Sequence, residues 1–274
     1  MDELLSRTDL ITVISRYVPL KKKGGNWWGC CPFHHEKEPS FAVNEQKQFY
    51  HCFGCKESGN AVSFLQKMEN IERFDAIKML AAEAHMEMPH FEGNAESVSQ
   101  EKKNRLLALL KDAARHYYAN LSSDRAEPAR AYLERRGVDE HLVKKFGLGY
   151  SINGSEMLEY LRKRGYTNAE MKDAGIAEQK GDRYYDVYGG RLMFPIINGF
   201  GEIIAFGGRT LEQNPGFAKY RNTSQTAVFD KSKAVYAINL LKKRKQRQGL
   251  EYIVMTEGYM DVIALHKGGF DMAV

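Results

Sequence analysis

The chain has 274 residues, 43% of them hydrophobic, which is enough to build real cores in two or three domains. No apolar stretch approaches the ~20 residues needed to cross a bilayer. The first helix-like run, Met1 to Tyr17, is broken by Arg7, Asp9 and Arg16, so neither a span nor a signal peptide is expected and the protein reads as cytoplasmic. The net charge of +5 is unevenly spread: residues 1–95 carry 11 Lys and Arg against 13 Asp and Glu, the remainder 29 against 22.

From the start, Asp9 to Leu20 reads as helix giving way to an extended segment, and Lys21 to Gly25 (KKKGG) as a basic turn. The strongest local signal follows. Cys31-Pro-Phe-His34 and Cys52-Phe-Gly-Cys55 are two metal-binding knuckles with 17 residues between His34 and Cys52. Each can turn two ligands toward one tetrahedral centre, and Cys3His is a closed set with no open position for catalysis, so structural zinc is expected on Cys31, His34, Cys52 and Cys55. Cys30, His35 and His51 sit beside the ligands, but the knuckle register turns them away. Four cysteines, three of them near histidines, argue for metal binding in a reducing compartment over disulfides.

Between the knuckles, Ser40 to Val43 and Gln48 to His51 alternate as short strands, which predicts a zinc ribbon with the metal at its end. Trp27, Trp28, Phe33, Phe49, Tyr50 and Phe53 surround it. Most are expected in the core that so small a ribbon needs, although exposed aromatics on a sheet also stack nucleic-acid bases.

Gly59 to Met68 and Phe74 to His85 have the periodicity of amphipathic helices, and His90 to Glu101, without an apolar period, reads as a linker. Helical patterns run over Lys102 to Asn120, Ala129 to Arg136 with a stop at Gly137, Val138 to Lys145, and Ser155 to Arg164. After Gly181 the texture turns to strands at Tyr184 to Tyr188, Arg191 to Ile197 and Glu202 to Phe206, with a turn at 198–201. Gly207 to Arg247 holds 10 basic residues against 2 acidic ones and includes a basic helix, Leu240 to Arg247. A polyanion path is one reading; solvated lysines are the plainer one.

The last stretch, Glu251 to Val274, reads as strand, turn, helix and strand: Tyr252 to Met255, Thr256 to Gly258, Tyr259 to His266, and Phe270 to Val274. Such a β-α-β unit has parallel strands with a right-handed crossover. Ligands bind beyond the carboxyl ends of its strands, where Glu257 falls. Asp261 lies four residues on, in the first helical turn. Two carboxylates there can hold a hard divalent cation such as magnesium or take a proton from an attacking hydroxyl. A surface Glu in a turn and an Asp favoured near a helix N-terminus is the alternative.

Taken together, CPFH with HCFGC, YLERRGV, GRLMFPI with the FGGR loop, AKYRNTSQT, FDKSK and EGYMD, in this order, resemble the bacterial DnaG-type DNA primases. The resemblance implies an α+β multidomain fold: a zinc-ribbon domain (1–89), a linker (90–101), the N-terminal subdomain of an RNA polymerase domain (102–250) and the start of a TOPRIM fold (251–274). The implied activity is nucleotidyl transfer, copying single-stranded DNA template into short RNA primers from ribonucleoside triphosphates, with structural zinc and catalytic magnesium or manganese. By the same resemblance, Glu257 and Asp261 are catalytic carboxylates. Lys219, Arg221 and Lys231 are basic residues beside the centre, and Arg191 and Arg136 line the template path. Two departures are visible: Phe217-Ala218 precedes Lys219 where the family more often has PKY, and the family's downstream Asp-x-Asp pair and helicase-docking C-terminal domain are not in this sequence. Inefficient primer synthesis by residues 1–274 alone is therefore expected. Two other classes compete: a zinc ribbon that only binds DNA, and another TOPRIM enzyme such as a topoisomerase or nuclease.

Overall fold

The computed structural model describes residues 2–87, 95–153, 155–211 and 218–274. The chain divides into two compact units, Met1–Gly93 and Asn94–Val274.

The first unit opens with two short helices, α1 (Asp2–Arg7) and α2 (Leu10–Ser15). The Asp9 carboxylate caps α2 by accepting the backbone N–H of Ile11 at 3.1 Å and of Thr12 at 3.3 Å. An antiparallel sheet follows with its strands in sequence order: β1 (Lys21–Lys23), β2 (Asn26–Gly29), β3 (Phe41–Asn44), β4 (Phe49–Cys52) and β5 (Ser58–Gly59). The lysine run expected as a turn is thus an edge strand, with Lys21 opposite Trp28, and the turn is confined to Gly24-Gly25. Charged side chains on an exposed edge are a usual way of blocking further pairing.

Helices α3 (Ala61–Glu69) and α4 (Arg73–Glu83) complete the unit. A capping box between Asn60 and Ser63 starts α3, and Asn70 ends it in the left-handed region at φ 51°. The core gathers Phe41, Val43 and Tyr50 from the sheet with Leu10, Ile14, Phe64, Leu65, Ile77 and Leu80 from the helices. Alternation along β4 buries Tyr50 while its neighbour Phe49 stays 44% exposed, and Phe53 just beyond the strand is 55% exposed. Of the six aromatics expected mostly inside, Trp27, Phe33 and Tyr50 join the core; Trp28, Phe49 and Phe53 do not.

In the second unit, α5 (Ala95–Asn120) begins inside the segment read as a linker, the first part of which, 90–94, lies outside the described residues. Leu106, Leu109, Leu110, Ala113 and Tyr117 provide the buried stripe. Once that stripe holds the helix, propagation over the polar residues before it adds one hydrogen bond per residue without needing an apolar period.

The chain continues through a 3-10 turn at Asp124–Ala126, α6 (Glu127–Arg135), α7 (Glu140–Phe146), β6 (Gly149–Ser151), α8 (Glu156–Lys163), α9 (Asn168–Asp173), β7 (Ala177–Lys180) and β8 (Arg183–Asp186). Then come β9 (Arg191–Ile197), β10 (Ile203–Thr210), β11 (Tyr220–Asn222), α10 (Ile238–Gln248) and α11 (Tyr259–Lys267). The main sheet has the order β11-β10-β9-β6, all antiparallel, and β7 and β8 form a separate hairpin.

The two strands expected around α11 reduce to one parallel bridge, Val254 with Ala273. Val274 N–H donates to Val254 O at 2.9 Å and Thr256 N–H to Val274 O at 2.9 Å, so the expected parallel sense is present in a shorter form. Among the described residues, no helix is long and apolar enough to cross a membrane.

Candidate functional site

The first candidate site is the cysteine-histidine cluster. Cys52 ends β4, and the turn after it carries Cys55; Cys31 and His34 stand on the loop after β2. Cys31 Sγ lies 3.8 Å from Cys55 Sγ, and His34 Nδ1 lies 3.8 Å from Cys52 Sγ. All four ligand atoms fall within 4.8 Å of one another. A tetrahedral zinc with bonds near 2.3 Å to sulfur and 2.0–2.1 Å to nitrogen separates its ligands by about 3.5–3.8 Å, so the set fits that ion. The backbone N–H groups of Phe33 and Cys55 donate to Cys31 Sγ and Cys52 Sγ, each at 3.4 Å, which is how each knuckle aims its first sulfur. Burial, helped by the neighbouring Cys52 and Cys55, pushes the Cys31 thiol up to about 12. Sulfurs this close ionise together only around a cation. Cys30 is exposed and His51 packs edge-on to Phe53 with centroids 4.8 Å apart, so both stand apart from the cluster.

The second is a cleft of about 440 Å³ in the second unit, lined among others by Tyr220, Asn222, Lys231, Tyr236, Glu257 and Tyr259. It is assembled by Tyr259, the first residue of α11. Gly207 and Gly208 of β10 make room: a methyl on Gly207 would stand 2.4 Å from the Tyr259 ring, and one on Gly208 2.7 Å from the Tyr188 ring. The Tyr259 ring stacks on Phe194 with centroids 5.1 Å apart at 13°, meets Tyr236 edge-on at 4.7 Å, and its hydroxyl donates to Asn222 Oδ1 at 2.9 Å. Burial, with a smaller contribution from Tyr220, pushes that hydroxyl up to about 12, so it remains a donor at neutral pH. Pinning Tyr259 fixes the turn before it. Glu257 is exposed on that turn, and the Asp261 carboxylate folds over Gly258, where a methyl would meet its Oδ2 at 2.8 Å.

The structure therefore brings Glu257 and Lys231 to one cleft, with Asp261 on the adjoining helical turn. Lys219 is exposed immediately before Tyr220, a cleft residue on β11. Two of the expected nucleic-acid contacts are engaged elsewhere. Arg191, expected on the template path, is only 7% exposed and donates to the carbonyls of Gly208 and Ala218, each at 3.1 Å, so it braces β10 against the chain entering β11. Arg221 is paired with Glu178 of β7, whose carboxylate also accepts from Tyr185 Oη at 2.8 Å. Arg136 caps α6 and lies over the Tyr132 ring at 5.6 Å. Its carbonyl is 3.5 Å from Lys267 Nζ, at the far end of α11 from Glu257.

Tyr259, Asn222, Tyr220, Arg209 and Gly207 were not among the residues expected at the site. Arg209 leans on Tyr132 at 4.5 Å and donates to Tyr220 Oη at 2.9 Å, tying α6 to β11. The adjacent glycines of FGGR and the aromatic inside EGYMD were the available signals, since a Gly pair in a strand marks a close approach.

A Cys3His ribbon followed by a mixed α/β domain with an acidic turn and a lysine in one cleft defines a zinc-ribbon type protein with a second, α/β domain. Family comparison agrees: the CHC2 zinc finger family matches residues 1–96, and the DNA primase catalytic core, N-terminal domain, matches residues 116–242. The DNA primase of Pseudomonas aeruginosa is 40% identical over 282 residues, covering all of this chain and 42% of the relative; that of Clostridium acetobutylicum is 36% identical over 267 residues, covering 97% and 44%. The crystal structure of the Aquifex aeolicus primase zinc-binding and RNA polymerase domains aligns at TM-score 0.57 and 28% identity over 99% of this chain and 64% of that one. A DnaG primase catalytic domain bound to single-stranded DNA aligns at TM-score 0.58 and 30% identity over 64% of this chain and 54% of that one. The chain belongs to the bacterial DnaG-type DNA primase family. It spans less than half the length of the curated relatives it matches.

Proposed function

We propose that this chain is the template-reading and basic-cleft part of a primase, which extends RNA primers on single-stranded DNA from ribonucleoside triphosphates. The observation that carries the reading is that Glu257 and Lys231 line one cleft, with Asp261 four residues on from Glu257 in the first turn of α11. Primer extension is attack of a 3′-hydroxyl on an α-phosphate, which concentrates negative charge on the phosphate oxygens. Lys231, in the cleft lining, and Lys219, one residue before Tyr220, would balance that charge and hold the triphosphate. Glu257 and Asp261 would hold magnesium or manganese, which neutralises developing charge when bound. A hard ion of this kind takes one or two protein carboxylates and fills its remaining positions from water and phosphates.

The ribbon contributes template reading. Its outer face carries Trp28 stacked on Phe53, centroids 5.7 Å apart at 18°, and the exposed Phe49, which suits base stacking on a single strand. Zinc on Cys31, His34, Cys52 and Cys55 would hold that face together. In this reading Arg136 would meet the template away from Glu257, Arg191 and Arg221 act by holding strands in place, and the replicative helicase is engaged by chain outside this sequence.

The test uses a protein of the relatives' length that carries this sequence. Glu257→Gln should abolish primer synthesis and leave single-strand binding almost intact. If the chain served only to bind DNA, the substitution would change neither, and the catalytic reading would fail.

A further inference from the structure

The ligand His34 has a second ring nitrogen, and its surroundings are as closely built as those of the first. With Nδ1 turned to Cys52 Sγ at 3.8 Å, Nε2 faces Glu36 Oε2 at 3.1 Å. Glu36 is not a mobile surface carboxylate: its side chain is 12% exposed. Its Oε1 accepts the backbone N–H of Cys31 at 2.6 Å and of Ser40 at 3.2 Å, and its Oε2 accepts the Ser40 hydroxyl. Three donors from the knuckle loop therefore hold the carboxylate and leave it directed at the imidazole. Gly54 also packs close to the ring: a methyl there would stand 2.7 Å from His34 Nε2 and 2.9 Å from Cε1. Ser40 Oγ also lies 3.3 Å from Cys52 Sγ, so Glu36 reaches the first knuckle directly and the second through Ser40.

A neutral imidazole carries one N–H and one lone pair, and only the lone pair binds a metal. A carboxylate fixed beside Nε2 favours the tautomer with its proton there, which leaves the lone pair on Nδ1 before any ion arrives. Metal-ligating histidines commonly donate their other N–H to a carboxylate, and losing that partner costs about 10–100-fold in metal affinity. We propose that Glu36 is a positioning residue for the metal: held by Cys31 and Ser40, it fixes the tautomer and ring orientation of His34 so that Nδ1 is presented to an ion shared with Cys31, Cys52 and Cys55. This rests on the zinc reading above. A purely structural Glu36 would act only on the backbone of Cys31 and Ser40, and the two roles separate experimentally.

The experiment uses the full 274-residue chain. Zinc content is measured first, then zinc affinity by chelator competition, the absorption of the Co(II)-substituted protein, and the His34 ring-nitrogen pattern by NMR. Glu36→Ala should bind zinc about 10–100-fold more weakly, shift the cobalt bands and lose the uniform Nε2–H pattern. Glu36→Gln, whose amide oxygen can accept the same N–H, should recover most of the loss. In a His34→Cys background the thiolate has no tautomer to fix, and Glu36→Ala should cost markedly less. Equal losses in the two backgrounds, or a Glu36→Ala protein with unchanged affinity and cobalt spectrum, would overturn the proposal. If Glu36→Ala does not fold, Glu36→Asp, whose carboxylate is one methylene further from Nε2, carries the same comparison, and wild-type affinity and spectra in it would overturn the proposal. A wild-type chain that holds no zinc would sink the zinc reading itself, and metal content settles that before any variant is made.

Discussion

Tyr259 and Gly207 share one space: the ring of the first lies where a side chain on the second would be, 2.4 Å from the position of a Cβ methyl. Because Tyr259 begins α11, the turn bearing Glu257 is set by how closely this ring approaches β10. Gly207→Ala should therefore destabilise the second unit by about 1–3 kcal/mol, the usual cost of overpacking a filled site. It should also weaken whatever Glu257 binds. Tyr259→Phe, which keeps the ring and loses only the bond to Asn222, should cost about 0.5–1.5 kcal/mol. Urea unfolding of the three proteins checks the order, and an Ala variant as stable as the parent would mean that the ring moves aside freely.

Zinc removal should act on the first unit alone. A five-stranded sheet with strands of two to four residues gains much of its folding free energy from its metal, so chelator or Cys52→Ala should unfold it. The second unit should melt as before. A thermal profile indifferent to chelator would contradict this.

Charge reversal at Lys231 should weaken single-strand binding and flatten its salt dependence. Each phosphate contact adds about 0.7 to the logarithmic slope on a single strand, so Lys231→Glu should reduce the slope by at least that amount. The same change at Arg221, already paired with Glu178, should alter it less. Equal slopes for wild type and Lys231→Glu would place the lysine off the path.

Asp186 gives the second unit a predictable pH dependence. The carboxylate is 4% exposed, and burial pushes it up to about 6 even though Tyr188 N–H and Ser151 Oγ each donate to it at 2.8 Å. Its unfolded value is about 3.9. From about pH 4 to 6 the folded state holds a proton that the unfolded state has released, so stability falls as pH rises through that window and then levels off. The difference of about 2 units amounts to roughly 3 kcal/mol. Asp186→Asn should remove this part of the slope, measured as the difference between the two proteins' urea midpoints from pH 4.5 to 7. Parallel curves would show that the carboxyl titrates normally.

Spacing in the chain fixed whatever depends on near neighbours. The two knuckles, the Tyr259 helix behind its acidic turn and the long strand Arg191–Ile197 were readable because ligand spacing and side-chain periodicity are local properties. The strands Gly149–Ser151, Ala177–Lys180 and Tyr220–Asn222 were not, being too short to show a period; each exists because a partner strand supplies its hydrogen bonds. Tertiary structure alone decided which arginines have partners inside the fold. Arg191 and Arg221 look the same in sequence as any basic residue beside the site, yet one is desolvated against Gly208 and Ala218 and the other is held by Glu178 from a hairpin more than forty residues away. It alone also decided that Glu36 reaches His34, because a carboxylate two residues from a ligand can point anywhere until the backbone of Cys31 and Ser40 holds it.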